Sequence, residues 1–292
     1  MADRRERAVG SLRGLAVGDG FGSCFADPIN LVALQSRSLL PGPWLWTDDT
    51  EMACSVFAVL DRYGRVDQDW LAESFVAHYD IYRRYGPGTN RILRLIRQTG
   101  ADWRELAPLA RGGHGSWGNG AAMRVAPLGA YFADDLDRVV REAAASAEVT
   151  HTHPEGVTGA IAVAVAAALA VSRPDLCGGG FLDAVAARMP AGRVRDGIGA
   201  ADAMSDAAEA AAVLGNGREI SAADTVPFCL WIVAAYPNDF AEACWATVAT
   251  GGDVDTTCAI VGGILGARLG VAGVPSEWLA HCEPLPRWVA AG

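Results

Sequence analysis

GVTGAIAVAVAAALAVS, residues 156–172, is the stretch whose reading decides the fold class. Alanine has the highest helix propensity of any residue, and apolar side chains fill nearly every position, so the segment reads as a helix with no solvent face. Its longest apolar run, Gly159 to Val171, falls short of the roughly 20 residues that span a bilayer. It is therefore expected inside a protein core. Outward from it, helical periodicity recurs at Arg4–Val17, Glu51–Tyr63, Trp70–Arg84, Asn90–Gln98, Asp135–Val149, Ala200–Leu214, Thr225–Ala235, Asp239–Thr250 and Thr256–Leu269. Alternating runs of Val, Ile and Thr are scarce, so the fold class is all-α. No linker, low-complexity tract or repeat divides the chain, which predicts one domain over residues 1–292. Loops are expected at Pro41-Gly42-Pro43, Gly86-Pro87-Gly88, Arg111–Gly120 and Cys177–Gly180.

Composition narrows the function. The chain is 51% hydrophobic and carries a formal charge of −10, so it can bury a large core but has no basic surface for a nucleic-acid backbone. An anionic ligand would need local help from metals or backbone N–H groups. The seven cysteines are odd in number and never in a CxxC pair, which suggests neither a disulfide framework nor a zinc site. They fit a reducing cytoplasm. No secretory apolar segment follows the mixed-charge start, and no membrane association is expected.

Two segments place carboxylates and hydroxyls at the start of an apolar helix. In Trp46-Thr47-Asp48-Asp49-Thr50-Glu51-Met52, Asp48 and Glu51 stand in capping-box register. One cap needs only one acceptor, so capping leaves the second carboxylate and the flanking threonines unexplained. Gly251-Gly252-Asp253-Val254-Asp255-Thr256-Thr257 repeats the pattern, and the alternate spacing lets Asp253 and Asp255 reach one side of a turn. Two all-oxygen acidic clusters suit hard cations such as Mg²⁺ or Mn²⁺. Between them, Gly112-Gly113-His114-Gly115-Ser116-Trp117-Gly118-Asn119-Gly120 could cradle a diphosphate through backbone N–H groups, with Trp117 placed to stack on a base. In Thr150-His151-Thr152-His153, His151 is expected to hydrogen-bond a ribose hydroxyl or phosphate, and His153 to cap a helix or face the core.

In this order, Gly14–Gly22, Trp46–Thr50, Gly118-Asn119-Gly120 with Met123–Pro127, Thr150-His151 and Gly251–Thr256 resemble the ADP-ribosylglycohydrolase family. The resemblance covers roughly residues 8 to 270. It implies a compact domain of many helices and hydrolysis of the bond between ADP-ribose and an acceptor. The acceptor would be an ADP-ribosylated protein, with arginine-type linkage favoured, or a small molecule; ADP-ribose would be the product. It also implies two Mg²⁺ or Mn²⁺ ions on Thr47, Asp48, Asp49, Asp253, Asp255 and Thr256, and ADP-ribose contacts from Ser116, Gly118, Asn119, Gly120, Met123 and His151. Many members carry a glutamate shortly after the first glycine-rich turn. Here that stretch reads Ser23-Cys24-Phe25-Ala26-Asp27-Pro28, in which Asp27 is the nearest carboxylate. Catalytic candidates are thus Asp49, Asp255 and Asp27, with Asp80 as a further acid or base. The alternatives are hydrolysis of another ribosylated nucleotide or small molecule, and non-catalytic sensing of ADP-ribose.

Overall fold

The alanine-rich stretch forms a single helix, Pro154–Ser172, buried along nearly its whole length. His153 caps its start, Nδ1 accepting from Glu155 N at 3.1 Å, and Pro154 fills the first turn, where no N–H is needed. With its flanking residues the helix has 19 residues and a mean hydropathy of 1.8, so length and composition alone would let it cross a bilayer. Burial by neighbouring helices, rather than shortness, is what makes it a core element.

The computed structural model describes residues 3–290. Met1, Ala2, Ala291 and Gly292, which the expected 1–292 domain includes, lie outside them. Among the described residues the regular structure is helical, apart from an isolated parallel bridge between Trp44 and Cys282. The buried side chains join one hydrophobic core running from Ala8 to Val289.

The first helix is longer than its sequence pattern suggests. It runs Arg4–Phe25, straight through Gly18-Asp19-Gly20 and Gly22. Gly18 and Gly22 continue a stripe with Gly10 and Gly14 that packs against Val254–Leu269, the last long helix, while Gly20 faces Trp44. A Cβ on Gly18 would stand 2.1 Å from the Cys258 carbonyl oxygen, and one on Gly14 2.3 Å from that of Gly262. Only glycine lets the two backbones approach this closely. The contact brings the start of the second helix against the far end of the first.

Other boundaries also differ. Ala200–Leu214 is two helices, Arg193–Ala201 and Ala207–Leu214, because Asp206 turns to cap the second by accepting from Glu209 N at 2.9 Å. The segment from Trp70 stops at His78 of helix Gln68–His78, followed by the 3₁₀ turn Ile81–Arg83 that Asp80 caps. Gly178 opens helix Gly178–Ala186 rather than a loop, and Pro87 is the first residue of helix Pro87–Thr99.

Candidate active site

Thr47 caps helix Asp48–Tyr63, its Oγ1 accepting from Asp49 N at 3.4 Å and donating to Asp49 Oδ2 at 2.8 Å. This replaces the capping box expected of Asp48 and Glu51. Glu51 turns away, accepting from Tyr85 Oη at 2.7 Å and from Asp80 N at 3.0 Å, and so ties the 79–85 turn to this helix. Asp48 and Asp49 are left in the first turn, both buried, facing the middle of the molecule.

What they face is a residue that sequence reasoning passed over. Asp19, in the middle of the first helix, is completely buried. Its Oδ2 accepts from Thr47 N at 2.9 Å, Thr50 N at 3.1 Å and Thr50 Oγ1 at 2.6 Å. Its Oδ1 and the Oδ1 of Asp49 are buried without a hydrogen-bond partner among the described residues. Burial pushes the Asp19 carboxyl up to about 7, with the Asp255 charge adding to the effect. Burial raises Asp48 and Asp49 well above the carboxylate range, and the charges of Asp19, Asp255 and Asp253 act in the same direction.

The second acidic cluster closes the site. Asp253 and Asp255 flank the start of helix Val254–Leu269, where Asp255 Oδ1 accepts from Thr256 N at 3.1 Å. Burial, then the Asp255 charge, raises Asp253 to about 7, and the Asn119 amide and Thr256 hydroxyl work against the rise. Asn119 is buried and bridges two elements, donating from Nδ2 to Asp253 Oδ2 at 2.7 Å and to Thr225 Oγ1 at 3.2 Å. The glycine loop is therefore locked to the second carboxylate pair.

On the loop, Ser116 Oγ accepts from Gly118 N at 3.2 Å. His151, also buried, shares a 2.7 Å hydrogen bond between Nδ1 and Thr150 Oγ1. Its other edge turns to the loop: a Cβ on Gly120 would lie 3.1 Å from Nε2. Burial, with Arg124 and Arg111 nearby, lowers its pKa to about 3, so the imidazole is neutral at physiological pH. Trp117 is half-buried, with the Arg111 guanidinium 4.6 Å from its ring centre and His153 edge-on. Met123 packs into the hydrophobic core beneath.

Arg124 stood in the sequence only as part of the Met123–Pro127 motif. It is fully buried and donates to the carbonyls of Gly120 at 3.2 Å and Ser146 at 2.8 Å, placing a cation under the loop. Burial lowers it to about 9, while the Asp48 charge favours the protonated form. A charged residue inside an otherwise apolar run was the signal available for both Arg124 and Asp19.

Asp27 has a different setting. It is exposed, and its carboxylate caps the 3₁₀ turn Pro28–Asn30, accepting from Ile29 N at 3.0 Å. Asp80 likewise caps a turn, accepting from Tyr82 N at 3.0 Å. A cavity of about 620 Å³ lined by Arg13, Gly42, His281 and Cys282 does not include the carboxylates.

The order of these parts along one chain agrees with a family model described as ADP-ribosylglycohydrolase, which matches residues 1–291. The chain belongs to the ADP-ribosylglycohydrolase family. It is 35% identical over 289 residues to an uncharacterized protein of Archaeoglobus fulgidus, covering 94% of this chain and 90% of that one. To human ADP-ribosylhydrolase ARH3 it is 29% identical over 333 residues, covering 95% and 89% of the two chains. A solved structure described as an ADP-ribosylglycohydrolase-related protein complex matches 99% of this chain and 96% of its own, with a TM-score of 0.69 at 24% identity, which supports the fold. This ADP-ribosylglycohydrolase family member thus has the helical architecture its motifs imply.

The donor chemistry fits hard cations. All five carboxylates and the threonine hydroxyls are oxygen donors, and two carboxylate oxygens are buried without a hydrogen-bond partner among the described residues. Among the described residues, no three carboxylate, imidazole or thiol groups already stand close enough to enclose an ion.

Proposed function

We propose that the protein hydrolyses the glycosidic bond between ADP-ribose and an acceptor, with two Mg²⁺ or Mn²⁺ ions held by Thr47, Asp48, Asp49, Asp253, Asp255 and Thr256, to which Asp19 is added. One observation carries this reading: five carboxylates from three helix segments lie near enough in a largely buried site for their charges to act on one another, beside a glycine loop, and among the described residues no basic side chain is hydrogen-bonded to any of them. Five such charges are costly together unless protons or cations neutralise them. Bound there, the ions would supply Lewis acidity toward a water and the ribose hydroxyls.

The remaining work belongs to the chain. Gly118 and Gly120 let the diphosphate approach the loop backbone, and the neutral His151 offers Nε2 to a phosphate or hydroxyl. Trp117 offers a face to the adenine. Asp49, fixed by the Thr47 hydroxyl on Oδ2, presents Oδ1 to take the proton of the attacking water. Asp255 would stabilise the positive charge that develops at the anomeric carbon as the leaving bond breaks. Arginine linkage is the favoured acceptor type and the cytoplasm the favoured compartment.

A non-catalytic sensor of ADP-ribose is the second reading, and the capping role of Asp27 favours it, since no free carboxylate then stands in the loop after the first helix. Chromatography of ADP-ribose released from arginine-linked and serine-linked conjugates separates the two. Metal-dependent release that Asp49→Asn abolishes supports the hydrolase. Tight ADP-ribose binding without release from either conjugate makes it a sensor.

A further inference from the structure

Resting on the hydrolase reading, we propose that the exposed arginines Arg84, Arg91 and Arg94 form a docking ridge for an acidic stretch of the ADP-ribosylated protein, beside the site where the acceptor departs.

The chain is acidic overall, yet residues 81–101 contain five arginines and no Asp or Glu. Two of these have structural duties: Arg83 pairs with Glu283 at 2.7 Å, and Arg97 donates to the carbonyls of Val76 and Tyr79. Arg84, Arg91 and Arg94 are exposed and have neither ion pair nor hydrogen bond among the described residues. Some exposed arginines elsewhere find carboxylates, as with Arg104 and Asp69, Arg173 and Asp175, and Arg188 and Asp137, while others, such as Arg13, Arg141, Arg195 and Arg218, have no ion pair among the described residues; what sets this group apart is its density in a stretch without acidic residues. Arg91 and Arg94 are one helical turn apart, about 4.5 Å along the axis. They lie opposite Ile92 and Leu93, which are buried.

Two contacts place the ridge at the mouth. The first turn of helix Pro87–Thr99 abuts the glycine loop, with Thr89 Oγ1 3.9 Å from where a Cβ on Gly120 would stand. At the other end Arg84 follows Arg83, which donates to the Trp46 carbonyl at 2.9 Å and so holds this turn beside the Thr47-Asp48-Asp49 cluster. Arg84 holds a left-handed backbone with φ 65°, a conformation non-glycine residues adopt at a cost.

Three guanidiniums are too few to track a nucleic-acid backbone, whose binding in physiological salt draws on roughly six or more phosphate contacts. A short run of glutamates or aspartates needs only two or three partners, and the planar guanidinium matches a carboxylate in a bidentate pair.

The test compares two ADP-ribosylated peptides of the same linkage, one with a Glu-rich flank and one with those glutamates changed to Gln. Both are assayed with Mg²⁺ or Mn²⁺ on the full chain and on its R91E/R94E variant, whose circular dichroism and Tm control for folding. The ridge predicts a KM about tenfold lower for the acidic peptide, with similar kcat, lost in the variant and in high salt. Equal rates on both peptides would overturn it while leaving the hydrolase reading intact, as would a preference for an ADP-ribosylated oligonucleotide. If no conjugate is cleaved, anisotropy of the labelled peptides decides separately: acidic-peptide binding that R91E/R94E abolishes keeps the ridge and removes the hydrolase, and no such binding removes both.

Discussion

Replacing Asp19 by Asn tests whether the buried carboxylates are held for a cation. The amide oxygen can take over all three bonds that Asp19 Oδ2 accepts from Thr47 and Thr50, so packing and hydrogen bonding are nearly conserved while one charge disappears. In the metal-free protein that charge is a burden. The folded carboxyl titrates near 7 against an ordinary 3.8, a difference worth about 4 kcal/mol at pH 8. The folded pKa is raised, so the penalty is absent below pH 4, grows between pH 4 and 7 and is complete above pH 7. The five carboxylates share protons, which makes about 4 kcal/mol an upper bound. At about 2 °C per kcal/mol for a chain of this size, Asp19→Asn should raise the Tm in chelator by up to about 8 °C at pH 8 and leave it unchanged near pH 4. Adding Mg²⁺ or Mn²⁺ should stabilise the native protein at pH 8 by occupying the site, and should stabilise the variant much less. Melting curves across pH with and without metal decide it. A Tm difference between native and variant that is the same at pH 4 and pH 8 in chelator would refute the reasoning, because burial would then not be penalising an ionised Asp19.

Three further substitutions probe separate parts. Gly18→Ala sets a methyl 2.1 Å from the Cys258 carbonyl and should cost about 3 kcal/mol or more, read as a lower denaturant midpoint with release activity falling in parallel. Asn119→Ala removes the donor to Asp253 Oδ2 and should weaken ADP-ribose and metal binding in calorimetry, with about 1–3 kcal/mol lost from stability. Trp117→Ala should reduce ADP-ribose affinity by about 1–3 kcal/mol while leaving free ribose-5-phosphate binding unaltered, a pattern that only loss of base stacking produces.

Much of the site was legible because its parts are local. Thr47-Asp48-Asp49 and Asp253-Val254-Asp255-Thr256 each concentrate several donors at one helix start, and Gly118-Asn119-Gly120 is a continuous loop, so a linear reading finds them. The capping-box reading of Asp48 and Glu51 failed because two long-range partners, Tyr85 and the Asp80 N–H, outcompete the local one. Asn119 was expected on the ligand; its partner Asp253 lies 134 residues away and no spacing rule reaches that far.

The missed end of the first helix and the missed role of Asp19 have one physical origin. Read locally, Gly18-Asp19-Gly20 and Gly22 break an apolar run, since glycine disfavours an isolated helix and aspartate prefers its ends. In the folded chain the preference is overridden. Gly10, Gly14, Gly18 and Gly22 recur every fourth residue, and that spacing is a packing surface: it admits the backbone of Val254–Leu269 to contact distance. The same close approach sets Asp19 near enough to Asp255 for the Asp255 charge to raise its pKa. A glycine stripe with a lone carboxylate beside it therefore reads better as a helix that continues and carries a buried functional group than as one that stops. The geometry makes the site's charge depend on the packing of these two helices, so a change that spreads the glycine contact should loosen the carboxylates and the fold together.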